Sequence, residues 1–182
     1  AQIKSGVILA ALNTSGVTKI IEHNITRDHT EIMLEAFGAE IFTRKENTKK
    51  IIEINGKKEL ISKNIEVPSD LSSSAFFIVA AIINDNSNIK LCNININPTR
   101  NGILIALEKM GANIKYLNER TSNNEKICDI EIRNSKLTGC ILDSDFSKLM
   151  IDEYPILSVA ASFAVSPSIF KGLGELRVKE SD

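Results

Sequence analysis

Three short polar clusters that contain arginine lie beside predicted helix starts. The clusters are Thr26-Arg27-Asp28-His29, Pro98-Thr99-Arg100-Asn101 and Arg177-Val178-Lys179-Glu180. The free N–H groups of a helix start, together with a guanidinium group, favour phosphate or carboxylate ligands. The clusters therefore indicate anion binding, although a solvated position beside a helix cap is the better interpretation of any single arginine.

The composition is that of an ordinary globular protein. Of the 182 residues, 43% are hydrophobic and 25% are charged, which excludes a disordered chain, a collagen-like repeat and a small disulfide scaffold. Lysine plus arginine (22) nearly balance aspartate plus glutamate (23), so nothing in the charge predicts binding to nucleic acid or to an anionic membrane. No apolar run reaches the roughly 18 residues of a membrane span.

The cysteines and the chain start point to an intracellular piece of a longer protein. Cys92, Cys128 and Cys140 are odd in number and lack metal-binding spacing, so we expect free thiols in a reducing compartment and a cytoplasmic location. The chain starts at Ala1 without an initiator methionine or a secretory pattern, which indicates the middle of a longer sequence.

The elements that must position the arginine clusters are organised by an internal repeat. Thr26-Arg27 and the segment 33–41 recur at an offset of 73 residues as Thr99-Arg100 and 106–114. Each copy predicts a helix that ends at a glycine, Gly38 or Gly111, because glycine accepts the left-handed conformation at C′. Asp28 and Glu31 have the spacing of a capping box for the first of these helices.

A second kind of helix, apolar on most faces, also recurs and is predicted to be buried. The alternating and β-branched segments between the helices predict strands. The apolar helices are Gln2–Leu12, Leu71–Ile83 and Asp152–Ala164, and the strands are Val17–Ile21, Ile41–Arg44, Lys50–Ile54, Ile65–Val67, Asn88–Ile94, Ile114–Leu117, Asp129–Arg133 and Ser168–Phe170. The predicted unit is helix–strand–helix–strand–strand, present twice with the start of a third copy.

Five motifs along the chain resemble, in order and spacing, those of the 5-enolpyruvylshikimate-3-phosphate synthase family. They are A-Q-I-K-S (1–5), R-D-H-T-E (27–31), N-P-T-R (97–100), I-D-E-Y-P (151–155) and R-V-K-E-S-D (177–182). Three of them, A-Q-x-K, R-x-H-x-E and N-x-T-R, are similar to the class II, glyphosate-tolerant branch. The resemblance covers essentially the whole chain.

The resemblance implies an α/β fold of tandem βαβαββ-like repeats, the inside-out α/β barrel of enolpyruvyl transferases, of which this chain holds a part. Residues 1–66 would be the last repeat of the first domain and residues 67–182 the first repeats of the second. The implied reaction moves the enolpyruvyl group of phosphoenolpyruvate to the 5-hydroxyl of shikimate 3-phosphate and releases phosphate. It implies no cofactor and no metal, small-molecule substrates only, and a monomeric parent enzyme.

The same resemblance implies roles for single residues. Asp152 matches the aspartate that takes the hydroxyl proton, Lys179 a lysine that binds shikimate phosphate, and Glu180 a glutamate that relays a proton at the methylene carbon. From the residues alone, Asp152 is more typical of a plain N-cap, and Lys179-Glu180 is also typical of an exposed charged pair.

Further matches would bind substrate from the first repeat: Gln2, Ala1 and Arg27, the last at the shikimate phosphate. For His29 and Glu31 we expect structural roles, a hydrogen bond and a helix cap. Arg100 is left open between fixing its loop and binding ligand.

Other substrate-binding residues of the family lie outside these 182 residues, so the chain alone is expected to be inactive. Two alternatives remain at this point. One is a UDP-N-acetylglucosamine enolpyruvyl transferase, which shares the architecture but fits the motifs less well. The other is a non-catalytic scaffold of α/β repeats that binds a partner protein, and scatter of Asp152, Lys179 and Glu180 over separate faces would favour it.

Overall fold

The computed structural model describes residues 1–179, and the chain divides into two compact units. The first unit comprises residues 1–67 together with 121–125, and the second comprises residues 68–120 and the chain from 126 onwards. The assignment of residues 1–66 and 67–182 to two domains of a larger enzyme stays a prediction.

The first unit has the order helix–strand–helix–strand–strand. Its three strands form one sheet in the order β1-β3-β2, with β3 antiparallel to both neighbours. The elements are α1 (Gln2–Leu12), β1 (Val17–Glu22), α2 (His29–Ala36), β2 (Glu40–Glu46) and β3 (Lys49–Asn55). Ile8 of α1 and Leu34 of α2 are buried in one cluster with Ile52 and Ile54 of the central strand. Burial of these side chains holds both helices on the sheet.

The second unit repeats this order and then continues. Its larger sheet has the order β4-β6-β5, and two short strands form a parallel pair. The elements are α3 (Leu71–Ile83), β4 (Asn88–Asn95), α4 (Gly102–Lys109), β5 (Asn113–Ser122), β6 (Glu125–Arg133), β7 (Ile141–Leu142), α5 (Ser147–Met150), α6 (Tyr154–Ser162) and β8 (Ile169–Phe170). The buried face of α3, including Ile78 and Ile82, lies in one core with Leu107 of α4 and Leu157 of α6.

The predicted helix ends of the repeat are confirmed in detail. Gly38 and Gly111 have φ values of 85° and 92°. Each is followed by an alanine whose N–H bonds back across the helix end, Ala39 to Leu34 O at 2.9 Å and Ala112 to Leu107 O at 3.0 Å. Together with the bonds from the glycine N–H groups, these are Schellman motifs at equivalent positions.

Three predictions about local structure are wrong. Residues 65–67 form no strand: the pairing falls two residues after Val67, where Ser69 forms an isolated parallel bridge with Ile94 of β4. The helix predicted from Asp152 begins instead as a 3₁₀ turn, Ile151–Glu153, with α6 starting at Tyr154. The third concerns the capping box of α2, whose acidic residues are held by lysines, as described below.

Candidate active site

Asp152 lies in the turn that leads into α6. In this 3₁₀ turn Ile151 and Glu153 are buried, whereas 39% of the Asp152 side chain is exposed. The turn therefore anchors itself through its outer two residues and presents the carboxylate of the middle one. Pro155 fits in the first turn of α6 because the backbone N–H that proline lacks would have no partner within the helix there.

Lys179 meets Asp152 although 27 residues separate them in sequence. Lys179 follows the short 3₁₀ turn Leu176–Val178, and its Nζ donates a hydrogen bond to Asp152 Oδ1 at 2.5 Å. Both side chains are about one-third exposed, so the pair adds little stability but leaves both groups accessible. The predicted catalytic Glu180 lies outside the described residues.

The buried neighbour of Asp152, Glu153, belongs to a polar network that the sequence did not predict. Ser72, in the first turn of α3, donates a hydrogen bond to Glu153 Oε1. Arg100 Nη2 in turn donates to Ser72 Oγ at 2.5 Å and lies 3.4 Å from Asp70 Oδ1. Asp70 caps α3 by accepting hydrogen bonds from Ser73 N and Oγ, both at 2.8 Å. For Arg100, the structure favours the loop-fixing interpretation.

In the first unit, the starts of the two helices meet. Ser5 Oγ of α1 lies 2.7 Å from Thr30 Oγ1 of α2, so the first turns of both helices are in contact. Ala1 is the N-cap residue of α1 and Gln2 its first residue, and both are exposed. Arg27, half-buried, lies two residues before α2. The three predicted substrate-binding residues of this unit are thus placed at the ends of two helices that touch.

Buried charges hold the loop that carries Arg27, and sequence reasoning missed them. Lys4 Nζ, on α1, lies 3.2 Å from the Glu22 carboxylate and 3.0 Å from Glu31 Oε1. Glu22 Oε1 accepts hydrogen bonds from Thr26 N and Oγ1 at 3.0 and 2.5 Å. These contacts connect α1, the end of β1, the loop before α2, and α2 itself. A lysine in a mostly apolar helix was the available signal.

The capping-box prediction for Asp28 and Glu31 is wrong for the same reason. Within the described residues the Asp28 side chain caps no backbone N–H, and its Oδ2 lies 3.4 Å from Lys50 Nζ. The Glu31 carboxylate, almost fully buried, lies between Lys4 and Lys50. The ammonium groups of buried Lys4 and partly buried Lys50 outweigh a single cap bond.

The expected hydrogen bond of His29 is confirmed. Its Nδ1 lies 2.5 Å from Oε1 of Glu125, a residue at the tip of the hairpin between β5 and β6. The turn of that hairpin consists of Asn123 and Asn124, both with positive φ, which is the asparagine preference of a type I′ turn.

Within residues 1–179, no helix is long and apolar enough to cross a membrane, and no three potential metal-binding side chains are grouped together.

The Cys128 thiol is buried, which raises its pKa to about 11, so it stays protonated at neutral pH.

The model of the EPSP synthase (3-phosphoshikimate 1-carboxyvinyltransferase) family matches residues 1–182, the whole chain. The chain belongs to the EPSP synthase family. Curated relatives named 3-phosphoshikimate 1-carboxyvinyltransferase agree: one from Pseudomonas sp. (strain PG2982) is 47% identical over 184 residues, and one from Rhizobium johnstonii is 48% identical over 183. Each match covers 100% of this chain, which spans 41% and 40% of the respective relative's length.

Solved structures confirm the predicted fold. The EPSP synthase of Acinetobacter baumannii, solved at 2.37 Å, superposes with a TM-score of 0.91 at 45% identity, over 100% of this chain and 40% of that one. The enolpyruvyl transferase NikO from Streptomyces tendae gives a TM-score of 0.65 at 15% identity, which shows the shared fold alone. The chain is therefore a part of the enolpyruvyl transferase fold, built from EPSP synthase repeats.

Proposed function

We propose that this chain is the central part of an enzyme that transfers the enolpyruvyl group of phosphoenolpyruvate to the 5-hydroxyl of shikimate 3-phosphate. The contact between Asp152 and Lys179 carries the proposal. It joins two predicted site residues from distant motifs, and it leaves an acceptor and a cation side by side at an exposed edge of the second unit. Scatter of these residues over separate faces would have favoured a non-catalytic scaffold instead.

The reaction requires three proton transfers. The 5-hydroxyl oxygen forms a bond to the central carbon of phosphoenolpyruvate while it loses its proton, and the methylene carbon gains a proton. Phosphate then leaves as the carbon–oxygen bond to it breaks, and a proton returns from the methyl group to restore the double bond. In the proposed scheme Asp152 accepts the hydroxyl proton, and Lys179 binds the shikimate phosphate. Glu180 relays the proton to and from the methylene carbon.

The first unit is proposed to bind the shikimate phosphate. Arg27 supplies a guanidinium group, which can bind phosphate through paired hydrogen bonds. Gln2 and Ala1 would add contacts at the start of α1, where N–H groups of the first helical turn are free of intrahelical bonds. The contact between Ser5 and Thr30 supports this arrangement because it keeps the two helix starts together.

The proposal extends to the division of the chain and to its activity alone. Residues 1–66 would close the first domain of the enzyme, and residues 67–182 would open the second. Since relatives are more than twice as long, further anion-binding groups are expected elsewhere in the complete enzyme. The 182-residue chain by itself is expected to release no phosphate from the two substrates.

Replacement of the proposed base tests the function. In the complete enzyme, Asp152→Asn is expected to lower kcat by about 10²–10⁴-fold, the usual contribution of a general base. The matched control is Asp145→Asn, an exposed carboxylate of the same unit that pairs with surface Lys148. Phosphate release is measured with phosphoenolpyruvate and either shikimate 3-phosphate or UDP-N-acetylglucosamine as acceptor. Turnover with the nucleotide sugar alone, or an Asp152→Asn variant as active as the control, would contradict the proposal.

A further inference from the structure

We propose that Glu153 is a positioning residue: its buried carboxylate, bonded to Ser72 and through Ser72 to Arg100, fixes the direction in which Asp152 faces the substrate. The inference rests on the proposed function and adds to it a network that acts behind the base. The three side chains all belong to the second unit.

The geometry of the turn makes Glu153 the anchor of Asp152. The two residues are neighbours in a three-residue 3₁₀ turn, where adjacent side chains point in different directions. Glu153 is 3% exposed as a residue, whereas the Asp152 side chain is 39% exposed. A rotation of the turn that moved Glu153 would therefore move the Asp152 carboxylate as well.

The partners of Glu153 come from two other elements. Ser72 is the second residue of α3 and donates its hydroxyl proton to Glu153 Oε1. The Ser72 oxygen accepts a hydrogen bond from Arg100 Nη2 at 2.5 Å, and Arg100 directly precedes the N-cap residue of α4. The turn with Asp152 is thus tied to the starts of α3 and α4 by one chain of hydrogen bonds.

Burying the Glu153 carboxylate costs desolvation free energy, which points to a role beyond packing. Burial raises the pKa of Glu153 above its ordinary value, the hydroxyl of Ser72 and the charge of Arg100 oppose the rise, and the charge of Asp152 adds to it. An apolar side chain would fill the same space without this desolvation cost. A hydrogen-bonded carboxylate, unlike an apolar side chain, also specifies orientation.

The test separates positioning from simple stability. In the complete enzyme, Glu153→Ala is expected to lower kcat on the order of 10²-fold, as a misplacement of about 1 Å would. The KM for each substrate should stay within about threefold of wild type, because ground-state binding is not affected. Glu153→Gln keeps the oxygen that accepts the Ser72 bond and should restore kcat to within about threefold. Ser72→Ala, which removes only a hydroxyl, should lower kcat by about tenfold.

Several outcomes would overturn the inference. Glu153→Ala with full kcat would do so, as would a Gln variant that is no better than Ala. Should Glu153→Ala fail to fold, as judged by circular dichroism, Ser72→Ala decides: a wild-type kcat in that variant overturns the inference. Wild-type enzyme is assayed in parallel, since absence of turnover there would count against the proposed function itself and against this inference with it. Asp145→Asn is again the control for removal of a carboxylate.

Discussion

At the scale of single residues, buried charges define the first unit more sharply than its hydrophobic pattern does. Lys4 is 7% exposed and is the point at which the carboxylates of Glu22 and Glu31 meet. Removal of one partner of a buried ion pair is more damaging than the pair is stabilising, because the remaining buried carboxylates lose most of their compensating charge.

We therefore expect Lys4→Met to destabilise the first unit by about 3 kcal/mol. The matched control is Lys58→Met, whose partner Glu40 is also a carboxylate but whose side chain is 47% exposed, with an expected loss below about 1 kcal/mol. Hydrogen exchange of the β3 amides at Ile52 and Ile54 measures the difference within this unit. Equal protection of these amides in both variants would contradict the expectation.

The contribution of Glu153 to the free energy of unfolding depends on pH. Its raised pKa in the folded chain means that it contributes stability fully below its unfolded pKa of about 4.3, and that this contribution is lost as the pH rises through the folded value. Glu153→Gln lacks this titration, so the free energy of unfolding of the variant relative to wild type should increase from pH 4 to pH 7.5. Urea unfolding at both pH values measures it. Asp145, whose pKa is lowered by its hydrogen bond from Lys148, should show the opposite sign when changed to Asn.

At the scale of elements, the helix ends that recur at an offset of 73 residues make a direct prediction. Gly111 has a φ of 92°, which L-residues with a Cβ adopt at a cost, so Gly111→Ala should destabilise the second unit by about 1 kcal/mol. Gly174→Ala is the control, since its φ is not positive and a Cβ there would meet nothing within 4 Å. Thermal unfolding followed by circular dichroism compares the two. A melting temperature of Gly111→Ala equal to that of the control would contradict the prediction.

The long helices were predictable from the sequence, whereas the shortest helix and strand were not. The bounds of α1 and α3 were predicted to the residue, because a segment of 11 or 13 residues that is rich in alanine and aliphatic residues is longer than a typical strand and is followed by polar residues. The four-residue α5 and the two-residue β7 escaped, because neither is long enough to show a period. They exist because the second core packs around them, with Met150 and Leu142 buried.

In the candidate site, too, some residues were predicted from the sequence and others were not. Asp152 and Lys179 were found because each lies in a motif, and their contact could not be derived from spacing alone. Glu153 was missed although it lies in the same motif, because a glutamate beside an exposed aspartate looks like a second solvated charge. Its buried carboxylate is bonded to Ser72, which is 81 residues distant, and no local pattern reports such a contact.

At the scale of the whole molecule, each unit exposes apolar helix surface that a complete protein would be expected to cover. In the first unit, Ile3 of α1 is 86% exposed, and in the second, Phe76 and Phe77 of α3 are 62% and 63% exposed. These helices were predicted to be buried on most faces, and burial is observed only on the side that faces the core of their own unit. The chain's span of about two fifths of its relatives fits this picture, because further repeats would supply the missing contacts.

A double substitution on α3 tests this view of the molecule. Phe76→Ser with Phe77→Ser removes two exposed aromatic rings, so the 182-residue chain should bind less of the dye ANS and self-associate less, while its melting temperature should change little. Leu71→Ser, a buried position on the same helix, is the contrast and should lower the melting temperature strongly. Sedimentation velocity and dye fluorescence provide the measurements.

If the double variant unfolds like Leu71→Ser, the two phenylalanines are packed in solution and the exposed face is covered within this chain. If the double variant stays folded and its self-association falls, the face is open, and the matching change in the complete enzyme should then destabilise it, because there the rings would lie in a core.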